Sequence, residues 1–335
     1  MKNHTIVPLS PPPWLQARVA QALALPPASF TLSALAGDAG TRRYYRVSGG
    51  QQNYIAAVDT AQQQQQRFVE LQAHFIAAGV RVPTIVAQSE QFLLLEDFGD
   101  STYLAHLPAD ADALYTAAIA ALIRIQSAPA LSAALTPYHA ALLNEEMNLF
   151  STWYCPQYGQ GALSLASQAV LQQIQQWLST QLAATAAVPV HRDYHARNLM
   201  VLPANDTQNN APGILDFQDA VRGCALYDVV SLLRDAYIEW SEAQQQQWLR
   251  LYWQQARAAG IALPDSFEHC WQLYNIVGAQ RSLKVLGIFV RLARRDNKLQ
   301  YLENLPLVYQ HLRAACAAVP ALAPLATLLA DVPPQ

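Results

Sequence analysis

The pattern of apolar and polar positions divides the chain near residue 99. Before that point, short apolar runs at residues 30–35, 43–48, 54–58 and 92–95 are separated by turn-forming Gly37, Gly40, Gly49 and Gly50, the signature of strands. Between the last two runs, residues 62–78 place Phe68, Leu71 and Phe75 at helical spacing and end at Gly79, a C-cap position. This predicts a small sheet with one helix. After Phe98-Gly99-Asp100 the pattern changes to long Ala/Leu/Gln-rich amphipathic stretches, which read as helices. The expected organisation is therefore two lobes, 1–99 and 100–335. One interruption stands out: short apolar runs at 199–202 and 213–217 flank the polar PANDTQNNAP, as in a hairpin with an exposed tip. The Gln runs at 62–66 and 244–247 lie inside helical patterns and read as solvated faces.

Composition narrows the class. With 335 residues, 52% hydrophobic and 13% charged, the chain can bury a large core. A net charge of -3 without a block of Lys or Arg gives no electrostatic footprint for nucleic acid or an anionic membrane. The most apolar segments, 113–135 and 276–292, are interrupted by Arg124 or by Arg281, Lys284 and Arg291, so they read as soluble helices. The opening MKNHTIVPLSPPPWL has no signal-peptide pattern, and Cys155, Cys224, Cys270 and Cys316 lack metal or disulfide spacing. A cytoplasmic protein acting on a small molecule is expected, with no sequence signal for an oligomeric state.

The chemistry flanks the hairpin. His191-Arg192-Asp193-Tyr194-His195-Ala196-Arg197-Asn198 follows the His-Arg-Asp-x-x-x-x-Asn template of a kinase catalytic loop, and Asp216-Phe217 follows across the hairpin. Phosphoryl transfer needs neutralised phosphate charge and an oriented acceptor hydroxyl. Asp193 suits the second task; Asn198 and Asp216 offer hard oxygen ligands for Mg²⁺. Singly, each residue has a plain alternative: turn or helix caps for Asp193 and Asn198, a strand end for Asp216, a core histidine for His191. The template spacing favours the functional set. His195 and Arg197 read equally as phosphate-facing or as local loop residues.

HRDYHARNLM, with DFQDAVRGCALYDVVSLLRD after it, resembles the aminoglycoside and choline kinase superfamily. GDAGTRRYYRV at 37–47, YIAAVDT at 54–60 and QRSLKVLGIFVRLARRDNKLQYLENLP at 280–306 are similar to bacterial kinases that phosphorylate the anomeric hydroxyl of N-acetylmuramate and N-acetylglucosamine in cell-wall recycling. The resemblance implies an α+β, protein-kinase-like fold: a small antiparallel-sheet lobe before a larger helical lobe. It implies Asp193 as the base, Asn198 and Asp216 as magnesium ligands, and ATP as phosphoryl donor. It makes Gly37, Asp38, Ala39, Gly40 and Thr41 the nucleotide-phosphate loop, and residues 93–98, with Glu96 and Phe98, the hinge against adenine. His191 and Asp228 would support the catalytic loop, Asp228 having a helix N-cap as its alternative. One departure is plain: residues 54–60 lack the strand lysine that pairs with nucleotide phosphates. Arg42, Arg43 or Arg46 is a substitute, Arg43 being preferred, and Glu70 loses the partner it would have had.

For the acceptor, Arg281, Lys284, Ile288, Arg291 and Arg295 share one helical stripe. Cations there favour an anionic sugar such as N-acetylmuramate; a solvated helix edge is the alternative reading. Asp235, Tyr237, Glu239 and Trp240 are further candidates for stacking on or bonding a sugar ring. Competing readings are an aminoglycoside or choline phosphotransferase and a nucleotide-binding pseudokinase, against which intact Asp193, Asn198 and Asp216 argue.

Overall fold

The computed structural model describes residues 10–35, 42–50, 52–59, 62–159, 163–203 and 211–334. Five antiparallel strands form the N-terminal sheet: β1 (Thr31–Ala34), β2 (Arg43–Ser48), β3 (Tyr54–Val58), β4 (Ile85–Gln88) and β5 (Phe92–Glu96), in the order β1-β2-β3-β5-β4. Period-2 burial sets the register, with Tyr45 opposite Ala56 and Ala56 opposite Leu94 on the buried face. That face is closed by Leu15 and Val19 of a helix at Pro13–Leu23, which the apolar pattern had not revealed. The other face carries the Gln62–Ala77 helix, whose Phe68, Leu71 and Phe75 are buried in a core cluster that continues into the helical lobe. The change of architecture falls where the sequence pattern changes: β5 ends at Glu96 and a helix follows at Tyr103–His106. The hydrophobic core runs straight through that boundary.

The helical lobe is organised around one long helix, Phe267–Arg295. Every residue from Tyr274 to Gly287 is buried, because other helices cover this stretch on all sides. Charged residues in that stretch therefore have to find partners inside the protein. The crossing with the Ala140–Leu149 helix is close enough that a Cβ on Gly287 would overlap the Leu149 backbone. One turn earlier on both helices, the same crossing brings Lys284 against Glu146. No described helix is long and apolar enough to cross a membrane.

Two short ribbons carry the catalytic segments. Strands β6 (Ala187–Val190) and β9 (Val221–Cys224) pair antiparallel, and between them β7 (Leu199–Met200) pairs with β8 (Gly213–Ile214). The second pair is the hairpin expected from sequence. An interlobe backbone bond joins it to the sheet lobe: Ile214 N–H donates to the Arg81 carbonyl at 2.8 Å.

Candidate active site

The loop leaving β6 is shaped by two buried carboxylates. Asp228, in the first turn of the Leu226–Leu233 helix, accepts from the His191 N–H at 2.7 Å and the Arg192 N–H at 2.9 Å. Asp235, fully buried, accepts from the Ala196 N–H at 2.9 Å and the Tyr237 N–H at 3.1 Å. Each thus satisfies loop donors that would otherwise be orphaned. Asp228 thereby ties the start of the loop to the Leu226–Leu233 helix. Asp235, a sugar-ligand candidate by sequence, has both of its carboxylate oxygens engaged by backbone N–H groups. Burial raises Asp228 to about 7 against the pull of its two N–H donors.

Between these anchors the loop turns over itself. His195 N–H donates to the Asp193 carbonyl at 3.1 Å, Asn198 N–H to the His195 carbonyl at 2.9 Å, and Asn198 Nδ2 to the Asp193 carbonyl at 3.0 Å. With its amide nitrogen so engaged, Asn198 turns Oδ1 away as an acceptor. Leu215 N–H donates to the Asn198 carbonyl at 2.9 Å, which sets Asp216 beside it. Asp216 sits at φ +63° and is exposed, with Gln218 Nε2 donating to Oδ1 at 2.6 Å. A left-handed Asp costs on the order of 1–3 kcal/mol, so the hairpin and Phe217 must hold it there. Phe217 does so through an aromatic column: its centroid lies 4.7 Å from Phe68 and 5.1 Å from Phe75, and Phe75 packs edge-on to His191 at 6.2 Å. Burial lowers His191 to about 4, so it is a neutral packing ring, as expected of a supporting residue.

Asp193 retains some solvent contact while Lys284, His195, Arg281 and Arg192 act on it. Burial alone would push its carboxyl up; these cations outweigh that and hold it at about 2. Behind it lies a charge cluster that sequence reasoning missed. Glu146 is buried, pairs with Arg192 and with Lys284 Nζ at 3.1 Å, and accepts from the Tyr138 hydroxyl. Burial alone would raise Glu146, yet Lys284 and Arg192 take it below the usual carboxylate value. The available signal was a carboxylate at the core spacing of Leu143, Met147 and Phe150.

The basic stripe is accordingly split. Arg281 and Lys284 are buried and face the catalytic loop, with Arg281 Nη2 donating to Ser231 Oγ at 2.6 Å and Lys284 Nζ to the Tyr227 hydroxyl at 3.3 Å. Neither is a solvated edge. Arg291 lies further along, half-buried, with Arg295 and Asp296 as its charged neighbours; it does not join the cluster. Trp240 is a core residue whose Nε1 donates to the Tyr115 hydroxyl at 3.0 Å, and Glu239 accepts from Gln310 at 2.9 Å on the surface. Tyr237 stays near the loop, with the Arg197 guanidinium 3.6 Å from its ring centroid and His195 edge-on at 5.7 Å.

On the sheet side, Gly37, Asp38, Ala39, Gly40 and Thr41 lie outside the described residues. Arg43 is exposed on β2, opposite Val58. Its neighbour Arg42 is the guanidinium turned to the cleft: it pairs with Asp59 at 3.0 Å and lies 5.2 Å from the Phe68 centroid. The Tyr44 phenol, raised mainly by burial, also feels Arg42, Asp216 and Asp59, so this strand lies across from Asp216. Arg46 instead clamps the hinge through Asp97 and Asp100, both at 2.7 Å. Glu70 is exposed. Glu96 commits its N–H to the Thr84 carbonyl at 2.9 Å and its carboxylate to Arg81 and to Thr84 Oγ1 at 2.6 Å. The second hinge candidate, Phe98, has its ring 4.8 Å from the same Arg81 guanidinium.

The arrangement brings the carboxylates of Asp193 and Asp216 and the amide of Asn198 together under a sheet lobe, a set of groups that suits phosphoryl transfer. Residues 31–261 match the phosphotransferase enzyme family (APH). The N-acetylmuramate/N-acetylglucosamine kinase of Pseudomonas putida is 39% identical over 306 residues, covering 90% of this chain and 88% of that one. The protein of the same name from Neisseria meningitidis is 33% identical over 314 residues, covering 92% of each. Among solved structures, a choline/ethanolamine kinase family protein from Mesorhizobium loti has a TM-score of 0.60 at 14% identity, covering 93% of this chain and 98% of that chain. A thermostable aminoglycoside phosphotransferase mutant in ternary complex with ADP and hygromycin B has a TM-score of 0.56 at 14% identity, covering 91% and 98%. The fold matches these kinases, and by the family match and the long, well-covered likeness to the curated relatives this chain belongs to the phosphotransferase enzyme family.

Proposed function

We propose that this phosphotransferase moves the γ-phosphoryl group of ATP to the anomeric hydroxyl of N-acetylmuramate and N-acetylglucosamine, in the cytoplasm, as a step of cell-wall recycling. The observation that carries the reading is the 39% identity, over nine tenths of the chain, to a kinase named for both sugars. The geometry supports it. Asp193 takes the sugar hydroxyl in a hydrogen bond and points its oxygen at the γ-phosphorus; as the new O–P bond forms and the bond to ADP breaks, the hydroxyl proton passes to Asp193. A carboxylate near 2 is a weak base, but a loose phosphoryl transition state asks the nucleophile for orientation more than for early deprotonation.

Asn198 Oδ1 and Asp216 are the residues that would hold Mg²⁺, since the Asn198 nitrogen is committed to the loop and the Asp216 carboxylate is exposed. The ion supplies charge neutralisation on the phosphates. Two protein ligands suit a metal that keeps waters and phosphate oxygens as its other partners. Arg42 is placed to take the part of the missing strand lysine, and Phe98 to meet the adenine. Lys284 pairs with Glu146, which supports a structural part for this cation beside the loop.

ADP release should be measured with N-acetylmuramate, N-acetylglucosamine, choline and an aminoglycoside, and the product examined by phosphorus NMR. Turnover with the amino sugars and a phosphate coupled to the anomeric proton are expected. Turnover with only choline or the aminoglycoside would reject the reading.

A further inference from the structure

A small cavity lies between the end of the Leu226–Leu233 helix, the long helix and the Leu305–Ala318 helix. It measures about 10 Å³, room for one water-sized occupant. Arg234, Arg281, Ser282 and His311 supply its polar lining; aliphatic side chains and Gly278 supply the rest. Among the described residues that line it there is no carboxylate.

Both arginines are more than nine-tenths buried, at 8% and 7% exposure. Arg234 gives Nε to Gln245 Oε1 at 3.2 Å and Nη2 to Asn275 Oδ1 at 2.6 Å, and its guanidinium lies 4.7 Å from the Tyr274 centroid. Those partners are neutral. Its Nη1 is buried without a hydrogen-bond partner, and so is Nε of Arg281, whose Nη2 bonds the Ser231 hydroxyl. Two buried carboxylates of the same region are committed elsewhere: Asp235 to Ala196 and Tyr237, Asp228 to His191 and Arg192. Asp193 of the loop and Asp228 of the Leu226–Leu233 helix act on Arg281, and the exposed Glu242 acts on Arg234. Burying a cation without a hydrogen-bonded counter-charge is costly, and a buried N–H without an acceptor adds to the cost.

We propose that this cavity is a binding site for a single small monovalent anion of the halide class, held by Arg234 Nη1 and Arg281 Nε. An anion supplies the charge and the acceptor capacity that the lining lacks. A water would supply only the second. The small space favours a compact anion over nucleotides and other large organic anions. Gly278 belongs to the same design: a Cβ there would stand 2.5 Å from Arg234 Nη1, so only glycine lets the guanidinium reach the cavity. Burial pulls Arg234 down and, with the two arginines, takes His311 to about 3, so His311 is neutral and the positive charge at the site is that of the guanidinium pair.

Crystals of the full chain soaked in sodium bromide, with data collected at the bromine edge, give the direct test. An anomalous peak in contact with Arg234 Nη1 and Arg281 Nε is expected. In parallel, Tm is measured for the wild type and Gly278→Ala in chloride and in gluconate at equal ionic strength. Subtracting the variant removes the general salt effect. The wild-type advantage should widen by about 2 °C in chloride at ten times the dissociation constant. No bromide peak, with a water in its place, overturns the proposal, whether or not the variant folds. A peak with no chloride-dependent difference in Tm means an adventitious ion only, and overturns it too.

Discussion

Replacing Lys284 by Met separates two roles for the most buried cation near Asp193. In the structure Lys284 is an internal counter-ion: its side chain is 6% exposed, that of Glu146 is 9%, and their charged atoms are 3.1 Å apart. Lys284 is raised and Glu146 lowered, so both shifts agree that each stabilises the other's charge, although burial opposes ionisation in both. Removing one partner of a buried pair costs about 3–5 kcal/mol. Glu146 keeps Arg192 and the Tyr138 hydroxyl, which places the expected loss at the lower end, about 3 kcal/mol. For a chain of this length the unfolding entropy is about 0.7 kcal/mol/K, so Tm should fall by about 4 °C. Because Lys284 is the first of the cations holding Asp193 down, turnover should fall too, by the same factor on N-acetylmuramate and N-acetylglucosamine. Thermal unfolding and steady-state kinetics on both sugars read this out, and Glu146→Gln with the double variant completes a cycle. Coupling of about 1 kcal/mol or more is expected. An unchanged Tm, additive single effects and a loss confined to N-acetylmuramate would show that Lys284 serves the substrate and that the internal pair is idle.

Asp193→Asn should lower kcat by about 10²- to 10⁴-fold while calorimetric ADP binding stays within about two-fold, and wild-type turnover would remove Asp193 from the mechanism. Asp216→Ala, at an exposed but left-handed position, should lower Tm of the free protein by no more than about 2 °C and abolish the magnesium dependence of nucleotide binding; retained dependence refutes the metal assignment. Asp228 titrates near 7 in the fold against an ordinary 3.8, so its contribution to stability is fully present below about 3.8 and is lost as pH rises through about 7. The Tm of the wild type minus that of Asp228→Asn should therefore decline between pH 4 and 7 and level off above; a flat difference across that range contradicts the assignment.

The candidate loop was legible because phosphoryl-transfer chemistry demands residue types at fixed spacing, and the structure brings Asp193, Asn198 and Asp216 together. The helix carrying Phe68 and Phe75 was legible for a different reason, a clean apolar period. What stayed hidden is what tertiary packing decides. The basic stripe from Arg281 to Arg295 looks uniform along the helix, but only its first turn passes under the catalytic loop. Asp235 has the composition of a sugar ligand, and only the fold shows its oxygens spent on Ala196 and Tyr237. Glu146 contacts residues from segments up to 138 positions away, as its pairing with Lys284 shows, a relation no local pattern carries. Strand β4 is short and alternates intermediate with exposed positions, too weak a signal to set it apart from a loop.

The backbone bond from Ile214 to Arg81 bears on how the enzyme opens. The hairpin that delivers Asp216 is hydrogen-bonded on one side to the sheet lobe through Arg81 and on the other to Asn198 through Leu215. Phe98 presses on the same hairpin, at a glycine where any side chain would collide with its ring. A hinge rotation that parts the lobes widely must therefore break the Arg81 bond or drag the hairpin off Asn198, and the second course would pull Asp216 away from Asn198. The position of Asp216 is thereby tied to that of the sheet lobe, so a displacement of one lobe against the other is felt at this carboxylate.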